Sequence, residues 1–227
     1  MAAGGQAGTL DLFAGHPPAA SELRVEPLGD GAMVLRAFAT ATAEALWNDV
    51  GRVIEAAPLR HLVTPGGLRM SVAMTNCGER GWVSDRSGYR YVAVDPDSGR
   101  PWPATPAALR ARAQAAAATA GFANFEPDAC LINRYEAGTR LTLHQDRDEA
   151  DFTQPIVSVS LGLPAVFLFG GLKRSDRTLR VPLSHGDVVV WGGPSRLRFH
   201  GVLALKDGWH PLTGACRVNL TLRRALP

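Results

Sequence analysis

The spacing of apolar positions changes character along the chain. Thr40 to Ala57 carries Leu46, Val50, Val53 and Ile54 at helical intervals, with Thr40 placed to cap, Glu44 in the first turn and Pro58 to end the helix. A second helix is predicted from about Pro106 to Ala120. Pro suits a first turn, the interior is almost all Ala, Arg, Leu and Gln, and Gly121 suits the residue just past the end. Between them, residues 64–102 combine turn signals at Gly66-Gly67, Cys77-Gly78, Ser87-Gly88 and Asp95-Pro96 with short segments such as Met70 to Met74 and Tyr89 to Val94. This predicts a small set of hairpins carrying exposed aromatics.

From Pro127 onward the pattern is strand, turn, strand. The predicted segments are Ala129 to Tyr135, Leu141 to Asp146, Ile156 to Leu161, Ala165 to Phe169, Asp187 to Trp191, Leu197 to Leu203 and Cys216 to Arg223. With no helical pattern between them, they favour a sandwich or jelly-roll over a parallel α/β sheet. Gly170 to Ser175 looks superficially like a phosphate loop, but it lacks the full Walker spacing and no helix follows, so a hairpin turn is predicted there.

The 227 residues suit one compact domain with an attached lid, and 46% hydrophobic against 20% charged residues argues against both a disordered chain and a membrane protein. No apolar run reaches the roughly 18 residues a bilayer span needs. Residues 1–23 are rich in Ala, Gly and Pro without the basic and apolar regions of a secretory signal, and read as a loose tail before a single domain over 24–227. Cys77, Cys130 and Cys216 are too far apart for a CxxC zinc site and odd in number, which points to a reducing cytoplasm. A net charge of +3 shifts the odds of a nucleic-acid partner only slightly.

Candidate chemistry begins at His144-Gln145-Asp146, at the end of the run Leu141-Thr142-Leu143. Side chains two apart on a strand share a face, so His144 and Asp146 can grip one ion. An isolated HxD also occurs as a plain surface pair. The second such triplet, His185-Gly186-Asp187, precedes the apolar Val188 to Trp191 and reads as a tight turn feeding a strand. Of the other histidines, His16 lies in the tail, His61 near the end of the first helix and His210 in a loop, which leaves His200, in a predicted strand, as the best third ligand. Two histidines and a carboxylate leave three positions open on an octahedral iron(II), as a chelating co-substrate plus dioxygen requires.

The last strand, Arg217 to Arg223, alternates completely: Arg217, Asn219, Thr221 and Arg223 face one way, Val218, Leu220 and Leu222 the other. Two arginines on the inner face of a strand are costly unless an anion neutralises them, and a dicarboxylate suits the planar guanidinium. A solvated edge strand would show the same alternation.

The triad His144, Asp146 and His200, followed by Arg217-x-Asn219-x-Thr221-x-Arg223, resembles the AlkB family of nucleic-acid dealkylating dioxygenases. The likeness runs from Leu10-Asp11-Leu12-Phe13 to the final arginines, through Thr64 to Gly67, Met70 to Gly78, Pro127 to Tyr135 and Pro155 to Gly162. It implies a mainly β chain with flanking helices, whose double-stranded β-helix (jelly-roll) core spans about 127–227 and whose N-terminal nucleotide-recognition lid spans about 58–103. It implies Fe(II) as cofactor, with 2-oxoglutarate and O2 as co-substrates. Asn133, Tyr135 and Arg217 would bind the far carboxylate of 2-oxoglutarate, and Asn219 and Arg223 would sit by its chelating end. Trp82, Tyr89, Asp148, Arg174, Met74 and Thr64 would contact the target base or its phosphate.

The reaction implied is oxidative demethylation of bases such as 1-methyladenine and 3-methylcytosine, releasing formaldehyde, succinate and CO2, with extrusion of the base from a duplex. The implied partners are alkylated single-stranded or duplex DNA, and RNA besides, met by a cytoplasmic monomer with no membrane contact. Two other readings stay open: an oxygenase of the same type acting on a protein or small molecule, and a metal-binding jelly-roll without turnover.

Overall fold

The computed structural model describes residues 24–227; the loose tail, its Leu10–Phe13 segment and His16 lie outside the described residues. Thirteen strands and two α-helices follow in the order β1 (Val25–Gly29), β2 (Ala32–Leu35), α1 (Ala43–Ala56), β3 (Ala73–Gly78), β4 (Gly81–Asp85), β5 (Gly88–Val92), α2 (Ala107–Thr119), β6 (Ala129–Tyr135), β7 (Leu141–His144), β8 (Ile156–Gly162), β9 (Ala165–Phe169), β10 (Leu179–Leu183), β11 (Val188–Trp191), β12 (His200–Val202) and β13 (Arg217–Arg223). A seven-stranded sheet runs β1-β2-β11-β8-β13-β6-β3, a four-stranded sheet runs β10-β9-β12-β7, and β4-β5 form a separate hairpin. Every pairing is antiparallel. Non-sequential neighbours such as β11-β8-β13-β6 are what a jelly-roll requires, because each sheet takes alternate strands of the winding chain.

Three layers result. Leu46, Val50 and Val53 of α1 and Leu109, Ala113 and Ala116 of α2 pack on the outer face of the large sheet, against Val157, Val159, Val218, Leu220 and Leu222. The small Ala side chains let α2 lie close to the sheet. Its end follows expectation: Gly121 adopts φ +87°, a conformation open to glycine, and Phe122 N–H closes back on the Ala117 carbonyl at 2.9 Å. The inner face of the large sheet meets the small sheet through Ile156, Val189, Trp191, Phe167, Phe169 and Val202. Every residue of β13 is buried, so its two alternating sets line two different environments, helices on one side and the inter-sheet space on the other.

The structure corrects several boundaries. Thr40 does not cap α1: it opens a short 3-10 turn, Thr40–Thr42, and no side chain caps the helix that follows. The segment around Met74 is not one of the hairpins over residues 64–102, because β3 pairs with β6 as an edge of the large sheet. Strands β1, β2 and β10 were not anticipated. β1 is nowhere fully buried, β2 is a four-residue apolar run without alternation, and β10 carries a proline, which argues against a strand in sequence.

Candidate active site

A cleft of about 750 Å³ opens between the two sheets beneath the β4-β5 hairpin. His144 ends β7, and His200 begins β12, directly opposite it in register. Asp146 lies two residues beyond the end of β7, not on the strand as expected. Its side chain still reaches the histidines: His144 Nε2 is 3.7 Å from Oδ1 and His200 Nε2 is 3.6 Å from Oδ2. The three donor atoms lie within 4.8 Å of one another, the only such cluster of three or more among the described residues.

The histidine tautomers are set from behind. His144 Nδ1 donates to the Thr142 carbonyl at 2.8 Å and His200 Nδ1 to the Arg198 carbonyl at 3.0 Å, which leaves both Nε2 lone pairs toward Asp146. Burial, with His200 alongside, pulls His144 down to about 4, so its imidazole is neutral at physiological pH. Burial works to raise the Asp146 carboxyl, but Arg223 and the two histidines hold it well below the carboxylate range. Two histidines beside an ionised carboxylate fit a divalent cation.

Arg223 donates from Nε and Nη2 to Asp146 Oδ2 at 2.8 and 2.6 Å, so it orients that carboxylate. Deeper in the cleft, Arg217 is 1% exposed and donates only from Nη2, to Ser160 Oγ at 2.9 Å. Its Nε and Nη1 are buried with no partner, as is Asn133 Oδ1. Burial lowers the Arg217 pKa, since little nearby charge offsets it. An anion is the missing partner. Tyr135 and Asn133 are close because Arg217 pairs with Tyr135, and Asn219 with Asn133, across β13 and β6. Asn219 is otherwise engaged: Nδ2 donates to Ser158 Oγ and the Val159 carbonyl, and Oδ1 accepts from Thr221.

At the mouth, Trp82 and Tyr89 stack with centroids 5.5 Å apart and planes at 12°. Asn76 fixes Trp82 by accepting from its backbone N–H and donating to its carbonyl, both at 3.0 Å. Trp82 Nε1 donates to Asp148 Oδ2 at 2.8 Å. Met74 and Thr64 line the cleft, and Arg174 lies over the Phe199 ring at 5.5 Å on its rim. All the anticipated site residues therefore converge on one cleft. His185 and Asp187 do not: Gly186 takes φ +84°, and Asp187 accepts from Arg36, Ala37 N–H and Ser184 N–H as the anchor of a turn.

Sequence reasoning passed over Glu149, Tyr91 and Arg196. Glu149 is 6% exposed and Arg196 2%. Within Arg147-Asp148-Glu149 a charge run reads as solvated surface, and no local signal marks its last member as buried. A separate shallow hollow between α1 and the start of α2, lined by Asp49, Arg52 and Pro106 among others, brings together no such chemistry.

A double-stranded β-helix presenting two histidines and a carboxylate above a buried, anion-seeking arginine defines an iron(II)- and 2-oxoglutarate-dependent dioxygenase. A family model described as the 2OG-Fe(II) oxygenase superfamily matches residues 31–223. The alpha-ketoglutarate-dependent dioxygenase AlkB of Salmonella typhimurium is 56% identical over 216 residues, covering 95% of this chain and 98% of its own. An AlkB homolog from Caulobacter vibrioides is 49% identical over 172 residues, covering 75% and 76%. The solved structure of OsALKBH1 superposes with a TM-score of 0.78 at 28% identity, over 88% of this chain and all of that one. The chain belongs to the AlkB family of the 2OG-Fe(II) oxygenase superfamily.

Proposed function

We propose that this enzyme oxidatively removes alkyl groups from ring nitrogens of DNA bases such as 1-methyladenine and 3-methylcytosine, and acts on RNA as well. AlkB dioxygenases demethylate alkylated DNA bases, and the family also acts on RNA. The observation that carries the reading is the stacked Trp82–Tyr89 pair at the mouth of a cleft whose floor holds the His144, Asp146 and His200 cluster. Stacking on aromatic faces is how a single unpaired base is gripped. Around that mouth Arg69, Arg140, Arg147 and Arg174 are exposed and, among the described residues, form no ion pair, which suits a phosphate backbone.

In this reading His144, Asp146 and His200 hold Fe(II). Arg217, with Asn133 and Tyr135, takes the distal carboxylate of 2-oxoglutarate, and Asn219 and Arg223 stand near its chelating end. With O2, the bound cofactor and co-substrate supply the oxidation that yields succinate and CO2 and hydroxylates the alkyl carbon, after which formaldehyde leaves the base. The protein's own share is positioning. Arg223 holds Asp146 in one rotamer, and Arg217 sets the co-substrate's depth. Trp82 and Tyr89 offer π faces to the base, Met74 and Thr64 bound the pocket, Asp148 accepts from an exocyclic amino group, and Arg174 faces the rim. Residues 58–103, apart from β3, act as the lid of a single domain over 24–227. Free Cys77, Cys130 and Cys216 fit a reducing cytoplasm, where we place a monomer.

The test is incubation with iron(II), ascorbate and 2-oxoglutarate together with oligonucleotides bearing 1-methyladenine or 3-methylcytosine. Mass spectrometry should show loss of one methyl group per lesion. Turnover of methylated peptides with none of the oligonucleotides would overturn the nucleobase assignment and leave the oxygenase chemistry standing.

A further inference from the structure

Two hydrogen bonds tie the hairpin over the cleft to the segment that carries Asp146, and they come from residues directly opposite each other on β4 and β5. Trp82 pairs with Tyr91 in the hairpin register. Trp82 Nε1 donates to Asp148, and the Tyr91 hydroxyl donates to Glu149 Oε1 at 2.7 Å, so neighbouring donors on the hairpin meet consecutive carboxylates. Asp148 is exposed, whereas Glu149 is buried. Burial pushes the Tyr91 hydroxyl well up, so it stays a proton donor.

Glu149 continues inward. Its Oε1 is 3.4 Å from Arg223 Nε, and its Oε2 is 3.2 Å from Arg196 Nη2. Arg223 grips Asp146 Oδ2, while Arg196 donates to the Asp146 carbonyl at 2.9 Å and to the Gln154 carbonyl at 3.1 Å. Two carboxylates and two guanidiniums thus form one buried, charge-balanced ladder. Such a ladder is stiff, because displacing any member strands a charge out of water. Asp146 needs that support. It lies past the last ladder bond of β7, so no strand holds it, and with Oδ2 taken by Arg223 the rotation of its carboxylate decides where Oδ1 lies relative to His144.

We propose that the Asp146–Glu149 segment is a coupling loop through which the β4-β5 hairpin sets the orientation of the Asp146 carboxylate, with Tyr91 as the positioning residue at the hairpin end. A base stacked on Trp82 loads the strand partner of Tyr91. The displacement passes through Glu149 and Arg223 to Asp146, so occupancy of the base pocket is felt at the metal ligands. The second half of this inference rests on the nucleobase reading above; the link from Tyr91 to Asp146 does not.

The experiment uses the full chain loaded with Co(II), whose visible absorption reports ligand geometry without turnover. The variants are Tyr91→Phe, which removes one hydroxyl, and Glu149→Gln, which keeps the side chain's shape. Asp85→Asn, at the far end of the hairpin, is the control for loosening of the hairpin alone. Both test variants should change the Co(II) spectrum and weaken Co(II) binding by about tenfold, as loss of outer-shell partners does, with apo melting temperatures near wild type for Tyr91→Phe. Asp85→Asn should change neither readout. A methylated single-stranded oligonucleotide should shift the wild-type spectrum, and Tyr91→Phe should bind the same oligonucleotide within threefold yet lose most of that shift. Wild-type spectra and Co(II) affinity in both test variants, or an equal effect from Asp85→Asn, would overturn the coupling. If the test variants change the metal site while no methylated oligonucleotide moves the wild-type spectrum, the Tyr91–Asp146 link stands and its role in sensing a nucleobase falls.

Discussion

Replacing Arg217 by methionine should separate co-substrate binding from folding in opposite directions. In the structure this guanidinium makes one hydrogen bond, to Ser160, and keeps Nε and Nη1 buried without partners. A carboxylate held end-on would take two parallel bonds, from Nη1 and the second N–H of Nη2, since Nε–H points to the other side of the guanidinium. Hydrogen bonds to charged groups contribute about 1.5–3 kcal/mol each, so their loss should cost roughly 3–6 kcal/mol, or two to more than four powers of ten in 2-oxoglutarate affinity.

The apo protein should behave otherwise. Arg217→Met takes an uncompensated cation out of a buried site and fills much of the same volume, a change that is commonly neutral or stabilising by about 1–4 kcal/mol, against about 1 kcal/mol for the lost Ser160 bond. Thermal melting of the Mn(II)-loaded protein with and without 2-oxoglutarate reads both effects. At a hundred times its Kd the co-substrate adds about 2.7 kcal/mol to wild type, an upward shift of roughly 5–11 °C for a chain of this size, and the variant should show almost none. A retained shift would remove 2-oxoglutarate from Arg217. An apo melting temperature lower by more than about 10 °C would show that the guanidinium is structural.

Further outcomes follow from the same geometry. His144→Ala and His200→Ala should each abolish Mn(II) binding measured by calorimetry, while His185→Ala should keep it; the reverse would mean that the wrong HxD was assigned. Asp187→Ala should lower unfolding free energy by about 2–4 kcal/mol in urea titrations without touching metal affinity, because it leaves the Ala37 and Ser184 N–H groups without their acceptor and takes one carboxylate from Arg36, which keeps Glu26 and the Pro182 carbonyl. Trp82→Ala should weaken binding of a methylated oligonucleotide by one to two powers of ten, from about 1–3 kcal/mol of lost stacking, and leave Mn(II) and 2-oxoglutarate binding intact. His185, whose pKa is lowered from 6.5 by burial and then by His210, binds fewer protons folded than unfolded. Stability should therefore fall as pH drops below about 6.5 toward the folded value, and His185→Gln should flatten that slope in melts from pH 7.5 to 5.5.

The parts of this protein legible in the sequence are those carried by short-range periodicity or by a motif. The two-residue alternation of Arg217 to Arg223 announced a strand with a polar inner face, because that period is a property of the strand itself and survives whatever packs on it. The triad and the arginine strand together pointed to iron, 2-oxoglutarate and the family. Tertiary structure decided what each group faces. Asp146 is held by Arg223 from 77 residues away and not by strand geometry. Glu149 sits in a charge run that predicts exposure, yet it is buried because Tyr91, 58 residues earlier, and two arginines meet it there. Edge strand β3 joins the large sheet, and not the hairpins predicted around it, because β6 offers it a partner. Burial, ion pairing and strand partnership are relations between segments brought together only when the two sheets close, so no local pattern records them.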